Sequence, residues 1–178
     1  MFMDKMAPGI VRLSVMDNDL DLFEGQYRVK NGMAYNSYAI IDEKIAIMDT
    51  VDARFTHEWL DNIETVLSGR KVSYLIIQHM EPDHSANIGT VLSMFPDVRI
   101  ITSAKAVKMM SQFMNEDMSS KCDVVKEGDV LDLGKHKLHF VETMMVHWPE
   151  VIMSYEPTEG ILFSADAFGR FGPYDPAY

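Results

Sequence analysis

The sequence predicts an α/β (α+β) fold of two sheet layers with helices outside them. Three observations carry this expectation. Apolar, β-branched runs alternate with amphipathic helical stripes through the first two thirds of the chain. The segment after Lys121 is rich in short strand candidates separated by turns. Some strand candidates follow each other so closely that only a hairpin can join them. The 178 residues, 47% apolar and 24% charged, suit one domain with a real core.

Taken in order, Ile10 to Val15 reads as a first strand, and the acidic stretch from Asp17 to Glu24 as a solvated loop. Tyr35 to Ile41 and Lys44 to Asp49 are strands turned at Asp42-Glu43. Asp49 closes the second of these, either as an acid able to orient a metal ligand or as a loop cap. Phe55, Trp59, Leu60, Ile63, Val66 and Leu67 fall on one helical face behind Asp52, a candidate cap; His57 lies off the stripe and is expected at the surface. After Gly69 comes the strand Val72 to Ile77, and a helix is expected to start near Ser85. Val98 to Thr102 is a strand, and a helix capped by Ser103 carries Ala106, Val107, Met110, Phe113 and Met114 on one face. Later strand candidates are 122–126, 137–142, 151–155 and 161–164. His136 and His139, among lysines, are expected to be exposed. No linker, repeat or low-complexity tract interrupts the order.

Gln78-His79-Met80-Glu81-Pro82-Asp83-His84-Ser85 follows the strand at 72–77. Carboxylates and imidazoles gathered at the carboxyl end of a strand read as a metal site, because α/β folds place ligands there. The spacing of two aims His79, Glu81 and Asp83 at one side of an extended backbone, with His84 pointing elsewhere. All four would crowd one ion, whereas two adjacent ions can share them. The loop has no thiolate, so structural zinc is disfavoured, and the mixture of imidazole and hard oxygen suits iron or manganese at least as well as zinc. Two-metal sites hold their ions roughly 3.5–4 Å apart across a bridging oxygen. The missing imidazole and bridge are found at two later strand ends, as His147 and Asp166.

Bulk properties exclude several classes. The net charge of −11, from 16 basic and 27 acidic residues, argues against nucleic acid or an anionic membrane as partner. No apolar run approaches the roughly 20 residues of a membrane helix, and Met1 to Gly9 lacks signal-peptide order. The single Cys122 provides no disulfide, Cys-x-x-Cys pair or iron–sulfur site. A cytoplasmic protein is expected.

At His79-x-Glu81-x-Asp83-His84, His147-Trp148-Pro149 and the run Phe163 to Gly169 containing Asp166, the sequence resembles the metallo-β-lactamase-like domain of flavodiiron proteins. The resemblance spans most of the chain, including the strand end at Asp49-Thr50. Glu81 stands where hydrolytic relatives of that fold carry His, which points to a redox diiron pair rather than dizinc. The resemblance implies an αββα sandwich. It assigns His79, Glu81 and His147 to one iron, Asp83 to the other and Asp166 to the bridge, with His84 a ligand in some members. Zinc or manganese are possible substitutes. It implies O2 or NO as substrate, FMN on a separate flavodoxin-like domain as electron source, a rubredoxin-type or flavin reductase donor, and a homo-oligomer. The family's domain continues past the point matched by Tyr178 and carries one more His for the second iron. No His follows His147 here, nor is there a phosphate-cradling loop for FMN. Residues 1–178 are therefore expected to be a partial domain, completed by further sequence or by another chain. Two alternatives stay open: a zinc hydrolase of the same fold, and a non-catalytic module.

Overall fold

Residues 4–174 are described by a computed structural model. Its first half contains β1 (Asp4–Ala7), β2 (Ile10–Arg12), β3 (Val15–Asp17), β4 (Leu22–Phe23), β5 (Tyr27–Arg28), β6 (Met33–Tyr35), β7 (Tyr38–Ile40), β8 (Ile45–Met48), α1 (Thr56–Leu67) and β9 (Val72–Ile76). Then follow α2 (Pro82–Ser85), α3 (Ile88–Met94), β10 (Arg99–Thr102), α4 (Ala104–Met114), β11 (Cys122–Val124), β12 (Val130–Asp132), β13 (Lys137–Glu142), β14 (Ile152–Glu156) and β15 (Ile161–Phe163). A seven-stranded sheet runs β1-β2-β7-β8-β9-β10-β11, and a four-stranded sheet runs β12-β13-β14-β15. The short pairs β3-β6 and β4-β5 stand apart from both. Among the described residues, no helix is long and apolar enough to cross a membrane. Tyr178, on which the expectation of a partial domain turns, lies outside the described residues.

The sequence chemistry explains the layers. Ile45-Ala46-Ile47-Met48 is buried on both faces, as a strand between two layers must be. Strands β8, β9, β10 and β11 are parallel neighbours, so each return passes through a helix. Trp59 and Ile63 of α1, Val91 of α3 and Met110 of α4 pack with Ile45, Ile47, Leu75 and Ile100 on one face of the large sheet. The other face presents Ile10, Ile40, Ala46, Met48, Ile76 and Ile101 to Leu138, Phe140, Ile152 and Phe163 of the small sheet. Two layers therefore meet face to face through an apolar seam.

Helix boundaries follow their caps. Asp52 accepts from Arg54 N at 2.9 Å, starting a 3-10 turn, Ala53–Phe55, that leads into α1. Ser68 ends α1 in the left-handed region, and Asn115 does the same for α4. Ser103 Oγ accepts from Ala106 N at 3.1 Å and donates to the Glu150 carbonyl at 2.7 Å. Ser103→Ala is expected to cost about 1–2 kcal/mol, from a lost cap and an orphaned buried carbonyl. Urea unfolding checks this, and an unchanged midpoint contradicts it.

Several expectations need correction. The strand expected over Ile10 to Val15 breaks at Leu13-Ser14, where Leu13 N bonds Ser37 O and the chain leaves the large sheet to pair β3 with β6. The expected solvated loop at 17–24 is neither wholly loop nor wholly solvated. Asp17 is buried, accepts from the Asp19 and Leu20 amides and lies 2.8 Å from Arg54, while β4 and β5 form a small hairpin. The helix expected near Ser85 is two pieces, because Pro82 starts a separate turn at 82–85. His57 is exposed, but His136 is buried and His139 half-buried. His136 shares the inward parity of Leu138 and Phe140. Its amide donates to Asp42 Oδ2 at 2.6 Å, and its Nδ1 lies 3.4 Å from the buried Glu156.

Candidate metal centre

The carboxyl ends of β8 and β9 lie side by side at one edge of the large sheet, and the segments after both converge there. Asp49 follows β8, and its Oδ1 accepts from Gln78 N at 2.7 Å. Gln78 O accepts from Ile152 N at 3.1 Å, which joins this edge to the start of β14 in the small sheet. His79 follows immediately, fully buried. Pro82 then turns the chain into α2, which carries Asp83 and His84. From the small sheet, His147 comes from the β13–β14 connection and Asp166 from the segment after β15.

His79, Glu81, His147 and Asp166 each offer one ligand atom, and these four atoms all lie within 4.8 Å of one another. Glu81 Oε2 is 3.0 Å from His79 Nε2 and 3.3 Å from His147 Nε2. Asp166 Oδ2 is 3.1 Å from His147 Nε2 and 3.4 Å from His79 Nε2. Its Oδ1 faces the other way, 2.8 Å from His84 Nε2. His84 therefore points into the cluster, contrary to the expectation from an extended backbone, because the α2 turn rotates it inward. Asp83 Oδ2 is 3.9 Å from His84 Nε2, and Asp83 Oδ1 is buried without a hydrogen-bond partner among the described residues.

Three further acids adjoin the cluster, the buried Glu150 and Asp49 and the exposed Glu24. Glu150 Oε1 lies 2.8 Å from His79 Nδ1 and accepts from Met80 N at 2.9 Å. Asp49 Oδ2 lies 3.1 Å from His84 Nδ1 while its Oδ1 takes the Gln78 amide, so its two oxygens make the contacts of both readings, one on an imidazole and one on a loop backbone. Glu24, at the tip of the β4–β5 hairpin, is hydrogen-bonded to Glu81. Sequence reasoning passed over Glu150, although its place three residues after His147, before a strand, was visible. The cavity above the cluster measures about 630 Å³ and is walled by Phe23, Tyr27, Trp148 and Phe171 among others. Phe171 packs 5.3 Å from Phe23 and stacks 5.2 Å from Tyr27, pinning the Asp166 segment to the hairpin that carries Glu24.

Backbone strain gathers at this edge. Glu24, Asp49, Met145, Ala165 and Phe168 all have positive φ, between 48° and 68°, where side-chain-bearing residues are uncommon. Each lies on a segment that delivers or flanks a site residue. Such conformations persist only where surrounding structure fixes them.

The electrostatics suit a bound cation. Burial works against a charged imidazole, yet hydrogen bonds to Glu150 and Glu81 outweigh it and raise His79 from 6.5 to about 9. His84 is likewise opposed by burial but lifted well above its usual value by Asp166 and Asp49. Burial pushes Asp83 up to about 6, with His84 opposing and Glu81 and Asp166 adding to it. The hydrogen bond to Glu81, then burial, takes Glu24 to about 7. Asp166 goes the other way: burial is overcome by His84, His79 and His147, and it stays ionised well below the usual carboxylate range. Imidazole nitrogens and carboxylate oxygens facing each other at these distances need a proton or a metal ion between them. The donor set, two or three imidazoles with hard oxygens and no thiolate, fits iron or manganese as well as zinc.

A pH dependence follows for the metal-free chain. His79 binds its proton more tightly folded than unfolded, so its contribution is full below pH 6.5 and is lost as pH rises through about 9. Asp83 and Glu24 act in the same direction, since folding favours their neutral forms. The metal-free chain is therefore expected to be more stable near pH 6.5 than near pH 9, with metal uptake releasing protons across that window. Denaturant midpoints at the two pH values check this; a higher midpoint at the alkaline end contradicts it.

Comparison with known proteins agrees with this architecture. The chain is 37% identical over 151 residues to the anaerobic nitric oxide reductase flavorubredoxin of Citrobacter koseri, covering 84% of this chain and 31% of that one. Among solved structures, the flavodiiron protein from Giardia intestinalis superposes with a TM-score of 0.89 at 28% identity, over 98% of this chain and 42% of that one. Rubredoxin oxygen:oxidoreductase from Desulfovibrio gigas superposes with a TM-score of 0.85 at 32% identity, over 90% and 40%. The chain spans less than a third of the length of the curated relatives it matches. The fold is the metallo-β-lactamase-like core of flavodiiron structures. The family model described as ODP family beta lactamase matches residues 33–177, and the chain belongs to that family.

Proposed function

We propose that this chain supplies the non-haem diiron centre of a flavodiiron oxidoreductase that reduces O2 to water, NO to N2O, or both. In this reading His79, Glu81 and His147 hold one iron, Asp83 and His84 hold the other, and Asp166 bridges them. The observation that carries it is the orientation of Asp166, whose two oxygens face different imidazoles: His84 from Oδ1, and His147 and His79 from Oδ2. A carboxylate placed in this way can serve two cations at once. When bound, the pair supplies electrons to a small oxidant.

The chain's own residues do the rest. Glu150 and Asp49 lie 2.8 and 3.1 Å from the Nδ1 atoms of His79 and His84, on the side away from the proposed ions. Trp148 packs edge-on to His79 at 5.1 Å and limits the ring's rotation. Phe23, Tyr27 and Phe171 wall one side of the cavity, and Glu24 brings a carboxyl group that can hold a proton beside Glu81. The names of the relatives, flavorubredoxin and rubredoxin oxygen:oxidoreductase, support a flavin and a rubredoxin-type donor; FMN on a separate flavodoxin-like domain and a flavin reductase donor belong to the same reading. A homo-oligomer in the cytoplasm belongs to the same reading.

Metal analysis tests the proposal. Chain produced in iron-supplemented cells is expected to hold iron in excess of zinc, approaching a pair of ions per chain. When joined to a reduced flavin domain, it should consume O2 or NO. Zinc bound in preference to supplied iron, with hydrolysis of ester or lactam substrates, would favour the hydrolase alternative instead.

A further inference from the structure

We propose that Glu150 is the positioning residue that makes His79 a metal ligand; this rests on the diiron reading of the same site. The carboxylate is fully buried, and one oxygen grips both the His79 ring, at 2.8 Å from Nδ1, and the next backbone amide, at 2.9 Å from Met80 N. With the Nδ1 proton given to Glu150, Nε2 is the atom left facing Glu81 and Asp166, at 3.0 and 3.4 Å. Glu150 is itself anchored, since its carbonyl accepts from Ser103 Oγ at the start of α4. Its second oxygen has no hydrogen-bond partner among the described residues. A buried acid with an idle oxygen is a poor way to fill space, because the desolvation goes uncompensated. Orienting a ligand ring explains its presence, as carboxylates behind metal-binding imidazoles fix ring and tautomer.

The fold provides an internal control. Asp49 stands behind His84 as Glu150 stands behind His79, with one oxygen on the ring and the other on the Gln78 amide. Glu150 should therefore govern the metal position served by His79, and Asp49 the one served by His84.

The test uses the full 178-residue chain, with Co(II) titrated by visible absorption and the histidine rings followed by nitrogen-15 NMR, metal-free and with Zn(II). Glu150→Gln is expected to weaken one Co(II) position by about 10–100-fold and spare the other, with Asp49→Asn doing the reverse. In wild type, His79 is expected to keep a slowly exchanging proton on Nδ1 in both states. Unchanged Co(II) affinity in a folded Glu150→Gln chain overturns the inference, and so does equal loss at both positions. If that variant fails to fold by circular dichroism, the wild-type spectrum decides, and an Nδ1 without its proton overturns the inference. Wild type that takes up no Co(II) defeats the diiron reading itself; the metal-free spectrum then judges Glu150 on its own.

Discussion

Asp166→Ala is expected to remove metal binding from both positions at once, the largest single effect in this protein. The carboxylate touches three imidazoles, at 2.8 Å (His84), 3.1 Å (His147) and 3.4 Å (His79). Each oxygen serves a different side of the cluster, so no neighbour can take over its place. Groups that merely orient a ligand are worth 10–100-fold in affinity, and loss of a shared ligand should exceed about 100-fold. The fold should survive, because the side chain is 38% exposed and lies after β15 rather than within the seam. Titration of iron or Co(II) into wild-type and variant chains checks this. If the variant kept one tight position, Asp166 would be a terminal ligand and the bridge would lie elsewhere.

Phe140→Ala is expected to produce the largest loss of stability, about 3–5 kcal/mol, by combining lost burial with a cavity. Phe140 is 1% exposed and sits in the cluster that joins the small sheet to Ile10, Ile40, Met48, Ile76 and Ile101 of the large one. Both layers are held by their own strand pairing, so the seam should close only in part around a ring-sized gap. For a chain of this size the melting temperature should fall by on the order of 10 °C. The seam also sets the distance between the sheet edges that deliver His79 and Asp166. Metal affinity should therefore weaken in the folded variant, even though Phe140 is not among the ligands. A fall of less than about 3 °C would mean that the layers close up around the missing ring.

How much of this was legible depended on whether the relevant physics was local. The strand at 137–142 is where its pattern placed it, and Asp52 caps the 3-10 turn that leads into α1, while α1 itself starts after Phe55 without a side-chain cap. The hairpin turned at Asp42-Glu43 also forms, although its first strand is only Tyr38–Ile40 and Tyr35 belongs to β6, paired with β3. Each is settled by neighbours a few residues away, through alternation, helical periodicity or a side chain reaching its own backbone. The chemistry of the 79–84 segment was legible for the same reason, since the residue types needed to bind a metal sit together there.

Other features had no local signature. Strands β1, β6 and β12 are three or four residues long and owe their extension to partners rather than to their own pattern. Glu24 looked like one acid in a solvated run, and only the hairpin that lifts it against Glu81 gives it a role. His84 was misdirected by assuming an extended backbone, which Pro82 ends by starting a helical turn.

By itself, then, the sequence determined most of the longer strands and helices and put together, at 79–84, residue types able to bind a metal. Only the tertiary structure decided which of them meet. Glu150 and His79 are 71 residues apart, and His84 and Asp166 are 82 apart. They are brought within 2.8 Å because two sheets stack with particular strand ends adjacent, a matter of register and layer packing rather than of spacing along the chain.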